Sequence, residues 1–334
     1  MITKRLESVA DLINDKVIFI TGGTGSFGNE LTEVLLTNYS PKKIIIFSRD
    51  EFKQYTMKQK FPESKYNCMR YFVGDVRDYE RLLMATRYVD VLFHAAAMKQ
   101  VDTIEYNPIE AIRTNINGTE NIVKVAINNK ISKVIGISTD KCVSPINLYG
   151  ATKLCLEKLI IYGNMMAGKD GPIFSVLRYG NVFGSRGSVV PLFKNQKEKG
   201  EFTITDERMT RFTLTLRQAI NFVLNSGAIM KGGEVFIPKL PSYNIMQLVE
   251  CMDPNKECKI KIIGKRPGEK IHEAMISSSE SHRTAIQDDY LVVLPEIQIS
   301  SDYSSYGNNM MEDGKEYSSG DNILIGNNML INLL

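Results

Sequence analysis

The chain has 334 residues, 43% of them hydrophobic and 24% charged, with a formal net charge of +3. That length holds one large α/β domain plus a smaller partner, and a charge so mild and interspersed excludes a dedicated nucleic-acid binder. No run approaches eighteen apolar residues, and the polar start MITKRLESVADLIND lacks a signal peptide's apolar centre, so neither membrane span nor export is expected.

The five scattered cysteines fit reduced thiols in a cytoplasmic protein better than a disulfide framework. His94, His272 and His282 show no metal-ligand spacing, and no metal is expected.

In chain order, Lys16–Ile20 (KVIFI) is an apolar strand followed by glycines, and Asn29–Thr37 has helical spacing of Leu31, Val34 and Leu35. Further strands are expected at Lys43–Phe47, Met69–Val73, Val89–His94 and Lys133–Ser138, with a helix over Pro108–Asn128. β-Branched runs alternating with helices suit a parallel sheet buried on both faces. The fold class expected is α/β, a Rossmann-type doubly wound parallel sheet with a smaller C-terminal substrate-binding domain.

Residues 1–177 form the expected dinucleotide-binding domain, joined by a return segment near 212–240 that includes a helix over Gln218–Ser226. Beyond Leu177, Gly, Pro and Arg become frequent, and 178–334 is expected to be mainly the substrate domain. Its tail, 300–334, is expected to be irregular because Ser, Asn, Gly and Asp dominate up to Asn322, although the last residues are apolar enough to dock.

Gly22, Gly25 and Gly28 stand between the first strand and the first helix, within Thr24, Ser26 and Phe27. Glycines there permit a tight turn and close backbone approach to a pyrophosphate, which the helix N-terminus then attracts. After the second strand come Ser48, Arg49, Asp50 and Lys53. Those donors suit a 2′-phosphate, which favours NADP, while Asp50 keeps NAD as the minority option. Asp75, with Val76 beside it, is placed to accept from an adenine amino group. Ala95 and Ala96 let backbone pass close to the dinucleotide, and Lys99 lies just beyond them. His94 is more simply a core histidine than a catalyst.

Tyr149 and Lys153 are one helical turn apart, and Thr139 ends the strand upstream. Residues i and i+4 share a helix face, so both side chains point into one cleft. A nearby ammonium lowers a phenol's pKa, which would make Tyr149 an acid/base.

These motifs resemble the extended short-chain dehydrogenase/reductase superfamily from about Asp15 to Glu273. Within it, the runs Ser138–Pro145, Leu177–Val182, Gly187–Pro191 and Arg266–Lys270 resemble the UDP-N-acetylglucosamine 4,6-dehydratases of the inverting, 5-epimerising kind. Retaining dehydratases usually carry Asp-Glu where this chain has Asp140-Lys141.

The resemblance implies a UDP-sugar substrate, a homo-oligomer (dimer or hexamer) and the product UDP-2-acetamido-2,6-dideoxy-L-arabino-hexos-4-ulose. Tyr149 would take the C4 hydroxyl proton, a neutral Lys141 the C5 proton, and a protonated Asp140 would donate to the C6 hydroxyl. Lys99, Asn181, Ser188, Val189, Arg211, Arg266 and Glu269 resemble the family's substrate contacts. The rival readings are a UDP-hexose 4-epimerase, a retaining dehydratase and a non-catalytic NADP sensor; the bland reading of Asp140-Lys141 is a surface ion pair.

Overall fold

The structure is a computed structural model that describes residues 9–184, 188–297 and 303–334. Gly187, part of one expected motif, lies outside the described residues, as do 300–302 of the tail.

Six strands run through the first half: β1 (Val17–Thr21), β2 (Lys43–Ser48), β3 (Met69–Val73), β4 (Val91–His94), β5 (Lys133–Ile137) and β6 (Ile173–Leu177). Later come β7 (Asn181–Val182), β8 (Glu201–Ile204), β9 (Thr210–Leu214), β10 (Val235–Pro238), β11 (Ser242–Asn244) and β12 (Lys259–Ile262). The last are β13 (Ala274–Ile276), β14 (Thr284–Ile286), β15 (Tyr290–Val293) and β16 (Tyr317–Ser318).

The main sheet is ordered β3-β2-β1-β4-β5-β6-β10, all parallel, and closes with β15 and β14 antiparallel. The fold is therefore the doubly wound α/β sheet expected from the apolar runs. Every residue of β1 is buried, because helices cover both faces. Strand order reverses between β1 and β4, and the crevice at their carboxyl ends is where such sheets bind ligands.

One apolar core joins the sheet to the helices Ser26–Asn38 and Leu216–Ile229 through Leu31, Val34, Ile220 and Val223. Thr215 and Gln218 form a reciprocal capping box that starts the second of these helices. A separate core, with Phe193, Phe202, Tyr243 and Leu248, lies under β8 and β11.

The tail is mostly irregular in backbone but is packed. Tyr317 lies against Phe212 with ring centroids 4.9 Å apart, and Leu330, on the helix Asn327–Leu333, is buried in the second core.

The helix expected over Pro108–Asn128 is interrupted. Its middle, Ile112–Asn117, is a π-helical turn between Pro108–Ala111 and Gly118–Asn128. Such turns gather at functional sites, and this one puts Thr114 on the cleft wall. Its neighbour Asn115 holds both backbone groups of Met98 and the Thr152 hydroxyl.

Candidate active site

A cleft of about 1300 Å³ runs over the carboxyl ends of the sheet strands and on into the second half of the chain. At one end β1 gives way to the glycine turn. Gly22 has φ +64°, and a Cβ there would meet Ala96 backbone at 2.9 Å. The helix Ser26–Asn38 begins at Gly25 with no side-chain cap and no acidic residue in its first turn. Its free N–H groups and positive dipole end thus face the cleft beside Thr24, Ser26 and Phe27, which fits a pyrophosphate. Gly28 is different. It lies off the cleft wall, and a Cβ there would sit 2.2 Å from the Gly23 carbonyl oxygen, so it serves helix–turn packing.

Ser48, Arg49 and Lys53 line the adjoining end with Asp75, Val76, Ala95, Ala96 and Lys99. Asp50 caps the helix Glu51–Lys60 by accepting from the Lys53 N–H at 2.9 Å, and its carboxylate also lies 3.3 Å from Lys53 Nζ. Asp75 is already engaged, with Arg77 at 2.7 Å and Arg49 at 3.6 Å, so its expected acceptance from an adenine competes with two guanidinium groups. His94 is a core histidine, bonded to Thr21 (2.8 Å) and Thr119 (3.0 Å). Burial holds its pKa down at about 3, so it stays neutral.

At mid-cleft the helix Leu148–Ala167 presents Tyr149 and Lys153 together. Asn147 caps its start through the Gly150 N–H, and Glu105 accepts the Leu148 N–H at 2.6 Å. Lys153 Nζ donates to the Ile137 carbonyl at 2.5 Å, and burial lowers its pKa to about 8. Tyr149 departs from the sequence expectation: burial pushes it up to about 12, against the pull of Lys141 and the Thr139 hydroxyl.

Lys141 Nζ lies 3.0 Å from Asp140 Oδ1, 3.2 Å from Asn181 Oδ1 and 3.6 Å from Glu273 Oε1. Burial works against its charge, but Asp140 and Glu273 together raise its pKa above the ordinary lysine value. The expected neutral amine is therefore an ammonium in this geometry. Asp140 is fully buried, off the cleft wall, with Oδ1 accepting from Thr139 (2.9 Å) and Oδ2 without a partner. It is no surface ion pair.

Of the expected substrate contacts, Lys99, Asn181, Ser188, Val189, Arg211, Arg266 and Glu269 all line the cleft. Two of them have other work. Asn181 holds Lys141, and the Arg211 guanidinium donates to the carbonyls of Thr210, Ile271 and Lys270 instead of offering a free fork. Ser188, at the start of the helix Val189–Glu198, keeps a buried hydroxyl without a partner. Sequence reasoning missed Glu273, Tyr243 and Thr114, whose places depend on contacts remote in sequence. Among the described residues no cluster of His, Cys, Asp and Glu could hold a metal.

A family model described as polysaccharide biosynthesis protein matches residues 18–295, which carry all of the main sheet but Val17. The chain belongs to this family. It is 51% identical over 320 residues to the UDP-N-acetylglucosamine 4,6-dehydratase (inverting) of Campylobacter jejuni subsp. jejuni strain 81-176, covering 93% of this chain and 94% of that one. It is also 45% identical to the UDP-glucose 4-epimerase of Rickettsia bellii, over 80% of this chain and 79% of the other. Among solved structures it resembles Pen from Bacillus thuringiensis, with TM-score 0.86 and 38% identity, covering 96% and 98% of the two chains. A dTDP-glucose 4,6-dehydratase from Streptomyces venezuelae, solved with NAD, shares the fold at TM-score 0.67 and 18% identity, covering 76% of this chain and 86% of that one.

Proposed function

We propose that this chain is a UDP-N-acetylglucosamine 4,6-dehydratase that inverts C5, with NADP as its resident dinucleotide. One observation carries the reading: Lys141, flanked by Asp140 and Glu273, lines the same cleft as Tyr149 and Lys153. Exchange at C4 alone needs only the tyrosine pair, whereas elimination across C5–C6 needs a second acid/base set.

When bound, the dinucleotide supplies hydride exchange, accepting at C4 and returning at C6. Tyr149 takes the C4 hydroxyl proton. Its ordinary state is protonated, so the charge of Lys141 and the Thr139 hydroxyl must hold the phenolate against burial. The 4-keto group then acidifies C5–H, and Lys141, once neutral, removes that proton. Asp140 donates to the C6 hydroxyl, which leaves as water, and protonation of C5 from the opposite face gives the L-configured 6-deoxy-4-keto sugar.

NADP is favoured because Arg49 and Lys53 line the cleft, while Asp50, on the same wall, is engaged by the Lys53 N–H and ammonium. The Ser188 hydroxyl, which has no partner, and Arg266 suit the diphosphate end of a UDP-sugar, and Glu269 accepts from the Arg266 N–H beside them. Among the described residues no helix is long and apolar enough to cross a membrane. The Rickettsia relatives favour a second reading, a 4-epimerase on the same scaffold. Product analysis by NMR after incubation with UDP-N-acetylglucosamine separates the two: a C6 methyl signal means dehydratase, and UDP-N-acetylgalactosamine without one means epimerase.

A further inference from the structure

The start of the helix that carries Tyr149 is a junction of three segments. Asn147 lines the cleft and caps this helix, its Oδ1 accepting from the Gly150 N–H at 2.8 Å. Gly150 packs on the turn that carries Lys141, since a Cβ there would sit 2.1 Å from the Lys141 carbonyl oxygen. The remaining end of the Asn147 amide serves a third segment: its Nδ2 donates to the Gly268 carbonyl at 2.8 Å.

Gly268 belongs to the cleft-lining turn Arg266–Glu269. The Glu269 N–H donates to the Arg266 carbonyl at 3.2 Å, which closes a β-turn with Pro267 and Gly268 at its centre. Gly268 holds φ +72°, and a Cβ there would stand 3.0 Å from the Asn147 Cβ, so a glycine lets the turn close on the amide. Lys270 adds a second tie, from Nζ to the Val143 carbonyl at 2.5 Å, but that one reaches the loop before the helix. The Arg266 N–H is held by the Glu269 carboxylate at 3.2 Å, whereas its guanidinium has no partner among the described residues.

We propose that Asn147 is a positioning residue that couples the grip of Arg266 on the substrate diphosphate to the placement of Tyr149. This rests on the reading of the substrate as a UDP-sugar oxidised at C4, and the later elimination is not needed for it. A diphosphate held by Arg266 fixes the turn, and the Gly268 carbonyl fixes the Asn147 amide. The same amide sets the first turn of the helix, from which Tyr149 projects two residues further on. Binding energy from a part of the substrate that does not react thereby aligns the phenol with the C4 hydroxyl.

The test is a double-mutant cycle on holoenzyme, with kcat and KM measured for conversion of UDP-N-acetylglucosamine. It crosses Arg266→Ala with Asn147→Asp, which keeps the cap and the reach and loses the N–H donor. Asn147→Ser repeats the cycle with a neutral cap too short to reach Gly268. Each Asn147 variant is expected to lower kcat about tenfold, on the scale of a small misplacement of the reacting groups. Its thermal midpoint should stay within about 4 °C of wild type, the effect of one hydrogen bond.

With Asn147 present, Arg266→Ala should raise KM and also lower kcat about tenfold. In either Asn147 variant it should raise KM alone, with kcat changed by less than about twofold. Gly268→Ala opens the same contact from the loop side and should remove the kcat effect of Arg266→Ala in the same way. An amide that only stabilises the fold would leave the effects on kcat additive within about twofold, and that result would overturn the proposal. So would an Arg266→Ala effect confined to KM in otherwise wild-type protein. Should neither Asn147 variant fold, the Gly268→Ala cycle decides by the same criterion. Conversion to a C4 epimer with no C6 methyl sinks the dehydratase reading instead, and the cycle is then read on that product.

Discussion

The Arg178 guanidinium grips Glu157 with two parallel bonds, 3.1 Å from Nε to Oε1 and 2.6 Å from Nη2 to Oε2, with both side chains buried. Arg178 directly follows β6, Glu157 is on the helix that carries Tyr149 and Lys153, and the same guanidinium reaches Glu280 and the Met275 carbonyl. One residue therefore ties the catalytic helix, the sheet and the C-terminal segment together. Arg178→Met leaves two carboxylates without their cation and should cost roughly 3–5 kcal/mol, the range for breaking a buried pair. Urea unfolding checks this.

The same cluster gives a pH dependence. Glu280 is partly desolvated, but Arg178 and the Ser277 donors hold its pKa down at about 2, against 4.5 for an ordinary glutamate. A depressed pKa contributes stability above the unfolded value that is lost as pH falls through the folded one. Thermal unfolding should therefore weaken from about pH 4.5 towards 2, and Glu280→Gln should flatten that limb while lowering stability at pH 7.

Tyr149→Phe should leave fold and dinucleotide binding intact and lower turnover by ~10²–10⁴, the usual contribution of a positioned acid/base. Stopped-flow absorbance at the reduced nicotinamide band should show the C4 step itself abolished. A transient of wild-type amplitude would contradict the role given to the phenol.

Cofactor preference should answer to Arg49 and Lys53. Replacing both with alanine should weaken NADP binding about tenfold or more while leaving NAD nearly unchanged, because charge-assisted bonds to the 2′-phosphate are lost. Calorimetric titration of both dinucleotides reads the ratio directly.

Much of this was legible in the residues. The runs around Ile18, Ile44 and Val134 are apolar on both faces, which suits a covered parallel sheet, and all three became strands of it. Gly22 and Gly25 announced the tight turn before the first helix, and the spacing of Tyr149 and Lys153 put both on one wall. What stayed hidden depends on side chains that meet across the fold. Glu273 follows an ordinary loop, and nothing local tells that it will face Lys141. Arg211 reads as a free guanidinium until the Lys270–Ile271 backbone closes on it. Asn181 resembles a substrate contact, and nothing local tells that it also holds Lys141.

The measurement that bears most directly on the central claim is proton NMR of UDP-N-acetylglucosamine incubated in D₂O with the pure holoenzyme. A new C6 methyl signal is expected, with deuterium at C5 because the C5 proton exchanges through Lys141, and couplings after reduction at C4 should show C5 inverted. A C4 epimer with protium retained at C5 and no methyl signal would contradict the dehydratase reading.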